Sequence, residues 1–245
     1  MTSDSPESPA PEPGHSSEEP TAPWRDPAEI KRLDPMLEML ESSHVSLSSV
    51  TDLEEARRVH VADSLSGLVC PEVRQARNAL DLGSGGGFPG VPLAVLLPGC
   101  RFTLIDSVGR KVEFLGEVIS ALGLENAQAV KARSEDLAAG EGREVFDLVT
   151  ARAVAPLSVL AELASPLLGE GGHLVAWKGD PEPDSEATIA GNQGRLAMKV
   201  LRQETVVPYQ GSRERRLYVL VKTGPTPDGL PRRPGMARKR PIGGK

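Results

Sequence analysis

The sequence predicts an α/β fold: a doubly wound, mostly parallel seven-stranded sheet with a small N-terminal helical cap. Three observations predict it. Short aliphatic runs bounded by turn residues recur from residue 78 onward, with amphipathic helical segments between them. The strand-plus-helix unit repeats about every 20–25 residues, which suits βαβ crossovers and a parallel sheet. A glycine-rich turn, Asp81-Leu82-Gly83-Ser84-Gly85-Gly86-Gly87-Phe88-Pro89-Gly90, joins the first strand to the next helix. Sheets of this kind bind ligands at that place.

The elements follow in order. Residues 1–23 carry Asp4, Glu7, Glu12, Glu18 and Glu19, six prolines and no Lys or Arg. A segment with so little to bury is expected to be a disordered acidic tail. The folded unit is expected over 24–222, with the cap at 24–70 and the sheet at 77–222. AEIKRLDPMLEMLESS predicts a first cap helix, with Pro35 as a kink or boundary. TDLEEARRVHVADSLSGL predicts a second. It opens on a capping box from Thr51 to Glu54 and carries Val61, Leu65 and Leu68 as a stripe.

The strands are NALDL from Asn78, RFTLID from Arg101, AQAVK from Ala127, VFDLVTA from Val145 and HLVAW from His173. Between them, Val112, Leu115, Ile119 and Leu122 share one helical face, as do Leu157, Leu160, Ala164 and Leu167. MKVLRQETVVPY and RRLYVLVKT are separated by QGSRE alone, too short for a crossover helix. They predict a hairpin that adds antiparallel character at one edge. Residues 223–245 hold Arg232, Arg233, Arg238, Lys239, Arg240 and Lys245 against Asp228, with five prolines. They read as a basic, irregular tail.

Composition excludes several classes. The chain has 245 residues, 39% of them apolar, enough for one core. No run approaches the ~18 apolar residues of a membrane-spanning helix. The N-terminus lacks the basic start and apolar stretch of a secretory signal. Cys70 and Cys100 make no disulfide framework and no zinc spacing, so they read as packing residues, with no metal expected and a cytoplasmic location. Aromatic residues are 3% of the chain, too few for a flat base-stacking platform. The 28 Lys and Arg are outnumbered by 34 Asp and Glu, yet the C-terminal end is cationic and suited to phosphates.

The glycine turn carries the chemistry. Glycine there allows positive φ and lets a ligand touch the main chain, and Pro89 suits a first helical turn. Gly83 and Gly85 are expected to bring main-chain amides to the ligand. Asp106 ends the second strand, placed to accept both hydroxyls of a ribose. Gly85 to Gly90 match G-x-G-x-x-G, so a dinucleotide fits the pattern. S-adenosylmethionine fits as well. It has no pyrophosphate, and Asp81, awkward beside one, would suit its ammonium. A plain structural turn is the third reading.

Several motifs in order resemble the GidB/RsmG family, bacterial enzymes that methylate N7 of one guanosine in 16S ribosomal RNA. They are HVADSL, DLGSGGGFPGVPLA, LIDSVGRKVEFL, ARSEDL, TARAVAPL and AWKG, within residues 45–222. One departure is Val59, where family members usually carry Arg before the cap-helix histidine, here His60. The resemblance implies a Rossmann-like class I methyltransferase using S-adenosylmethionine. It places the donor on Gly83, Gly85, Phe88, Asp106, Ser134, Glu135 and Arg152, with Ser134 and Glu135 toward adenine. Lys178 and Arg216, near strand ends, are expected to meet RNA phosphates. His60 reads as a packed cap or core histidine. No catalytic acid or base is expected, because guanine N7 carries an in-plane lone pair and no proton at neutral pH. The implied partner is 16S ribosomal RNA or a small-subunit particle, met by a monomer. The rivals are an NAD(P)-dependent oxidoreductase and an RNA-binding assembly factor with a degenerate donor pocket.

Overall fold

Strands β1 (Asn78–Leu82), β2 (Arg101–Asp106), β3 (Ala127–Lys131), β4 (Phe146–Arg152), β5 (Leu168–Lys178), β6 (Met198–Val206) and β7 (Arg215–Lys222) form one sheet. Its order is β3-β2-β1-β4-β5-β7-β6. The first five run parallel, and β7 is antiparallel to both β5 and β6. This computed structural model describes residues 27–43 and 52–243; the expected acidic tail, 1–23, lies outside the described residues. The chain lays β2 and β3 to one side of β1, then returns to place β4 on the other. That reversal opens a crevice at the carboxyl ends of β1 and β4, the usual ligand position in such sheets.

Side-chain alternation explains the two layers. Along β1, Ala79 buries toward one face and Leu80 and Leu82 toward the other; along β4, Leu148 opposes Val149 and Ala151. The first face is covered by α6 (Gly90–Leu96), α7 (Gly109–Ala121) and the cap helices α1 (Pro27–Lys31), α2 (Asp34–Ser42), α3 (Leu53–Ala56), α4 (Asp63–Leu65) and α5 (Pro71–Gln75). The second is covered by α8 (Ser134–Ala138), α9 (Leu157–Ala164), α10 (Pro183–Gly191), α11 (Gln193–Leu196) and α12 (Met236–Lys239).

The cap is fixed to the sheet through Trp177 of β5. Its indole N–H donates to the Asp63 carbonyl at 2.9 Å, and a Cβ at Gly67 would run into the ring. Between α3 and α4 the backbone passes through a π-helical turn, Arg57–Ala62. Such turns rotate the following side chains relative to a regular helix and recur at functional sites.

Four details differ from the sequence reading. The α3 N-cap is Asp52, whose carboxylate accepts the Glu55 N–H at 2.7 Å; Thr51 lies outside the described residues. Asp caps as well as Thr and stands next to the first leucine. On α7 the buried positions are Phe114, Leu115 and Val118, while Val112, Ile119 and Leu122 are half-buried. The apolar stripe is broad, and α2 packs along it, which fixes the rotation. Helices α10 and α11 carry few apolar residues and bury Ile189 and Leu196, so no periodic stripe marked them. Residues 223–243 are mostly irregular but do not trail away as a tail. Leu230, Ala237 and Ile242 are buried against the second layer.

Candidate functional site

A cavity of about 440 Å³ opens at the crevice. Leu82 and Gly83 after β1, Asp106 after β2, Ser134 and Glu135 after β3, and Ala153 and Val154 after β4 line it. Each comes from the carboxyl end of a strand, so the parallel topology itself collects them. A cavity of about 650 Å³ lies at the opposite strand ends, among Asn78, Arg101 and Asn126, away from the glycine turn.

The glycine turn is held from below. The Ser84 N–H donates to the Ile105 carbonyl at 2.9 Å, and the Gly85 N–H donates to Asp106 Oδ2 at 3.1 Å. Gly83 has φ +69°, and a Cβ there would come within 3.0 Å of Val154. A glycine is therefore required by both backbone and space. Gly90 has a different duty: a Cβ would meet the Asp81 carboxylate at 2.8 Å, so it lets α6 pack against β1.

Asp81 is buried. It accepts the Thr150 hydroxyl at 2.7 Å and the Gly90 N–H at 3.3 Å. Burial pushes its carboxyl above the usual range, opposed by those hydrogen bonds. Its carboxylate faces partners inside the turn and does not line the cavity, so the ammonium role considered from sequence gains no support there.

The predicted donor residues divide into two groups. Gly83, Asp106, Ser134 and Glu135 share the 440 Å³ cavity. Asp106 also accepts the Val108 N–H at 2.9 Å, so it organises the start of α7 while facing the cavity. Gly85 stands behind, bonded to Asp106. Phe88 and Arg152 lie elsewhere. Phe88 is 7% exposed, stacks on His60 with ring centroids 4.8 Å apart, and sits 5.1 Å from the Arg152 guanidinium carbon. The guanidinium over the ring face is a cation–π contact.

Arg152 belongs to a second cavity, of about 360 Å³, with His60, Asp63, Lys178 and Arg215 among its lining residues. Ala153 borders both cavities and has φ +56°, uncommon for a residue with a side chain. Asp63, 3% exposed, takes Arg152 Nη1 on Oδ2 and Arg215 Nε on Oδ1, each at 2.9 Å. Arg152 Nη2 lies 3.4 Å from His60 Nδ1. A guanidinium has no acceptor, so that nitrogen accepts and the imidazole proton sits on Nε2. Burial, then the Arg152 charge, lowers the His60 pKa to about 4, against an opposing pull from Asp63. His60 is therefore neutral at pH 7, a packed ring as the sequence reading held.

Lys178 lines this second cavity and pairs with Glu182 at 2.6 Å. Arg216 does not line it. It points the other way, donating to the Gly179 carbonyl at 3.1 Å, with Nε buried and unpartnered. Its neighbour Arg215 takes the place expected for Arg216. Along a strand successive side chains face opposite sides, so the choice between Arg215 and Arg216 inverts the answer. Asp63 carries no such signal: its partners Arg152 and Arg215 are far from it in sequence, and the cap helix reads as ordinary packing.

Among the described residues no helix is long and apolar enough to cross a membrane. The chain matches the model of the GidB family, described as rRNA small subunit methyltransferase G, over residues 29–218. It is 40% identical over 205 residues to the Ribosomal RNA small subunit methyltransferase G of Pelotomaculum thermopropionicum, covering 81% of this chain and 83% of that one. It is 35% identical over 207 residues to the protein of that name from Moorella thermoacetica, covering 82% and 84%. Among solved structures it is similar in fold to a SAM-dependent methyltransferase from Aquifex aeolicus, with TM-score 0.52, 16% identity and coverage of 80% and 98%. The glycine turn at the switch point, the acid on the neighbouring strand and the agreement over four-fifths of the sequence lead to one conclusion: the chain belongs to the GidB family of small-subunit rRNA methyltransferases.

Proposed function

We propose that this protein methylates N7 of a guanosine in 16S ribosomal RNA, with S-adenosylmethionine as donor, as a cytoplasmic monomer. One observation carries the reading. Two cavities border Ala153, one lined by the glycine turn and by the carboxylates of Asp106 and Glu135, the other by Arg152, Arg215 and Lys178. The first suits the donor and the second an RNA nucleotide.

The residues present fit the donor. Gly83 lines the cavity without a side chain, so an amino-acid moiety can approach its main chain, while Val154 fills the side a Cβ would take. Asp106 borders the cavity and each carboxylate oxygen keeps a lone pair beyond its present bond, as two ribose hydroxyls require. Ser134 and Glu135 border the end where adenine would lie. When bound, the donor supplies an electrophilic methyl group on a sulfonium.

The chain's part is positioning. Guanine N7 has no proton to lose, so no residue need act as a base. His60, with its pKa near 4, and the buried thiols of Cys70 and Cys100, pushed up to about 12 and about 11 by burial, do not compete as nucleophiles or bases. Arg152 and Arg215 offer N–H donors, which suit guanine O6 or a backbone phosphate. The base must leave its stack to enter, as for other base-modifying enzymes. Holding the reactants in line can lower a barrier by ~7–11 kcal/mol in favourable systems.

Calorimetric titration of the full chain tests the donor assignment. S-Adenosylhomocysteine is expected to bind once per chain and NAD not at all. NAD binding without S-adenosylhomocysteine binding would favour an oxidoreductase. Donor binding with no transfer to small-subunit RNA would favour an assembly factor.

A further inference from the structure

The segment after β7 lies outside the span matched by the family model, yet it reaches the donor cavity. Its root is tied by the fully buried ammonium of Lys222, which donates to Glu144 Oε1 at 2.8 Å, to the Leu168 carbonyl at 2.7 Å and to Thr226 Oγ1 at 2.6 Å. Its middle is tied by Arg232, bidentate on Glu162 of α9 at 2.6 Å for each bond. Its end is tied by the Ile242 N–H on Glu162 and by the buried Ile242 side chain. Between the last two anchors the chain crosses the cavity. Gly235, Ala237 and Arg238 line it.

Two bonds join this crossing to the cavity walls. The Gly235 N–H donates to Glu135 Oε1 at 2.7 Å, while the Ser134 hydroxyl donates to Glu135 Oε2 at 3.0 Å. Arg238 donates to the Val154 carbonyl at 3.0 Å. Glu135 is thus held from both sides, and each of its oxygens keeps a further lone pair for a ligand donor. Gly235 has φ +81°, the left-handed conformation that glycine adopts without strain, and it directs this N–H inward. Leu163 and Ala237 add apolar surface to the same end.

We propose that residues 223–243 form a clasp that completes the adenine end of the donor cavity, with Gly235 as a positioning residue for Glu135 and Arg238 as the strap across the mouth. The proposal rests on the donor reading above and adds to it the segment that builds the purine subsite. An adenine presents an amino donor along its edge and apolar faces, which matches a carboxylate flanked by Leu163 and Ala237. A hypoxanthine ring, with a carbonyl at that edge, would face the carboxylate with an acceptor. The clasp therefore selects for adenine. It also sets Arg238 at the donor cavity rather than on a free basic tail.

Hydrogen exchange and calorimetry on the full chain test this. S-Adenosylhomocysteine should slow amide exchange in 230–242 of the wild type. Gly235→Pro, which lacks the N–H and cannot adopt positive φ, should weaken S-adenosylhomocysteine binding about tenfold, the size of one hydrogen bond to a charged group. It should also narrow the preference over S-inosylhomocysteine, a change that general loosening of the fold would not produce. Arg238→Met, on an exposed side chain, supplies a second variant with the anchors intact and should weaken binding in the same direction. Wild-type binding with unchanged exchange in 230–242, or full affinity in both variants, would overturn the clasp. Absence of S-adenosylhomocysteine binding to the wild type would overturn the donor reading and the clasp with it.

Discussion

The two cavities beside Ala153 are built on opposite principles. The cavity proposed for the donor is walled by the glycine turn and by two carboxylates held largely by local donors: Asp106 by two backbone N–H groups, with Lys111 Nζ 3.9 Å away, and Glu135 by the Gly235 N–H and the Ser134 hydroxyl. The acceptor cavity is walled by charge: Asp63 between Arg152 and Arg215, and Lys178 paired with Glu182. A main-chain wall costs little to keep open, because its polar groups are bonded to neighbouring turns. A charged wall stands only while every charge has its partner, since an unpaired buried ion is far more costly than a missing pair. The donor side is therefore expected to yield binding defects when altered, and the acceptor side folding defects.

The largest effect should come from Asp63→Ala. It strands two half-buried guanidinium groups and removes the buried hub joining α4 to β4 and β7. Breaking a buried pair from one side costs about 3–5 kcal/mol, so thermal unfolding should fall by roughly 6–20 °C. An unchanged midpoint would show that the cluster is solvated and would erase the contrast.

Asp106→Ala should behave in the opposite manner. Two hydroxyl bonds to a charged acceptor contribute about 1.5–3 kcal/mol each, so donor affinity should drop by one to several powers of ten with a much smaller change in the unfolding midpoint. Calorimetry with wild-type affinity would contradict the ribose role.

The smallest effect concerns protons. The folded pKa of His60, about 4, is depressed below the ordinary imidazole value. The unfolded chain then binds the extra proton first, so stability is complete above about pH 6.5 and is lost as pH falls toward 4. His60→Phe should keep the stack on Phe88 and remove this dependence. Melting curves should show the wild type losing stability relative to the variant as pH falls from about 6.5 toward 4. Parallel curves would mean that folding leaves the His60 pKa unchanged.

The same contrast explains what was legible in the sequence. The donor side is contiguous: strand, glycine turn and helix lie in one stretch, and Asp106 follows one unit later, so period and turn chemistry locate it. Even there, Phe88 and Arg152, expected with the donor residues, do not line that cavity: the Arg152 guanidinium lies over the Phe88 ring, which stacks on His60. The acceptor side is assembled from the cap helix, β4, β5 and β7. Its decisive pair, Asp63 with Arg215, spans most of the sheet, and only the fold brings the two together. The C-terminal arm was misjudged on composition. Prolines and arginines suggested a solvated tail, but Glu162 waits buried on α9 for Arg232, and three scattered apolar residues find the core.

In the proposed reaction these two cavities bring a methyl donor and a guanine together. The direct measurement is transfer of a labelled methyl group from S-adenosylmethionine to small-subunit RNA that lacks the modification, followed by mapping of the labelled base. Label is expected at N7 of a single guanosine and is expected to be lost in Asp106→Ala. Label on another atom or another class of molecule, or no label from a protein that binds the donor, would contradict the proposed reaction.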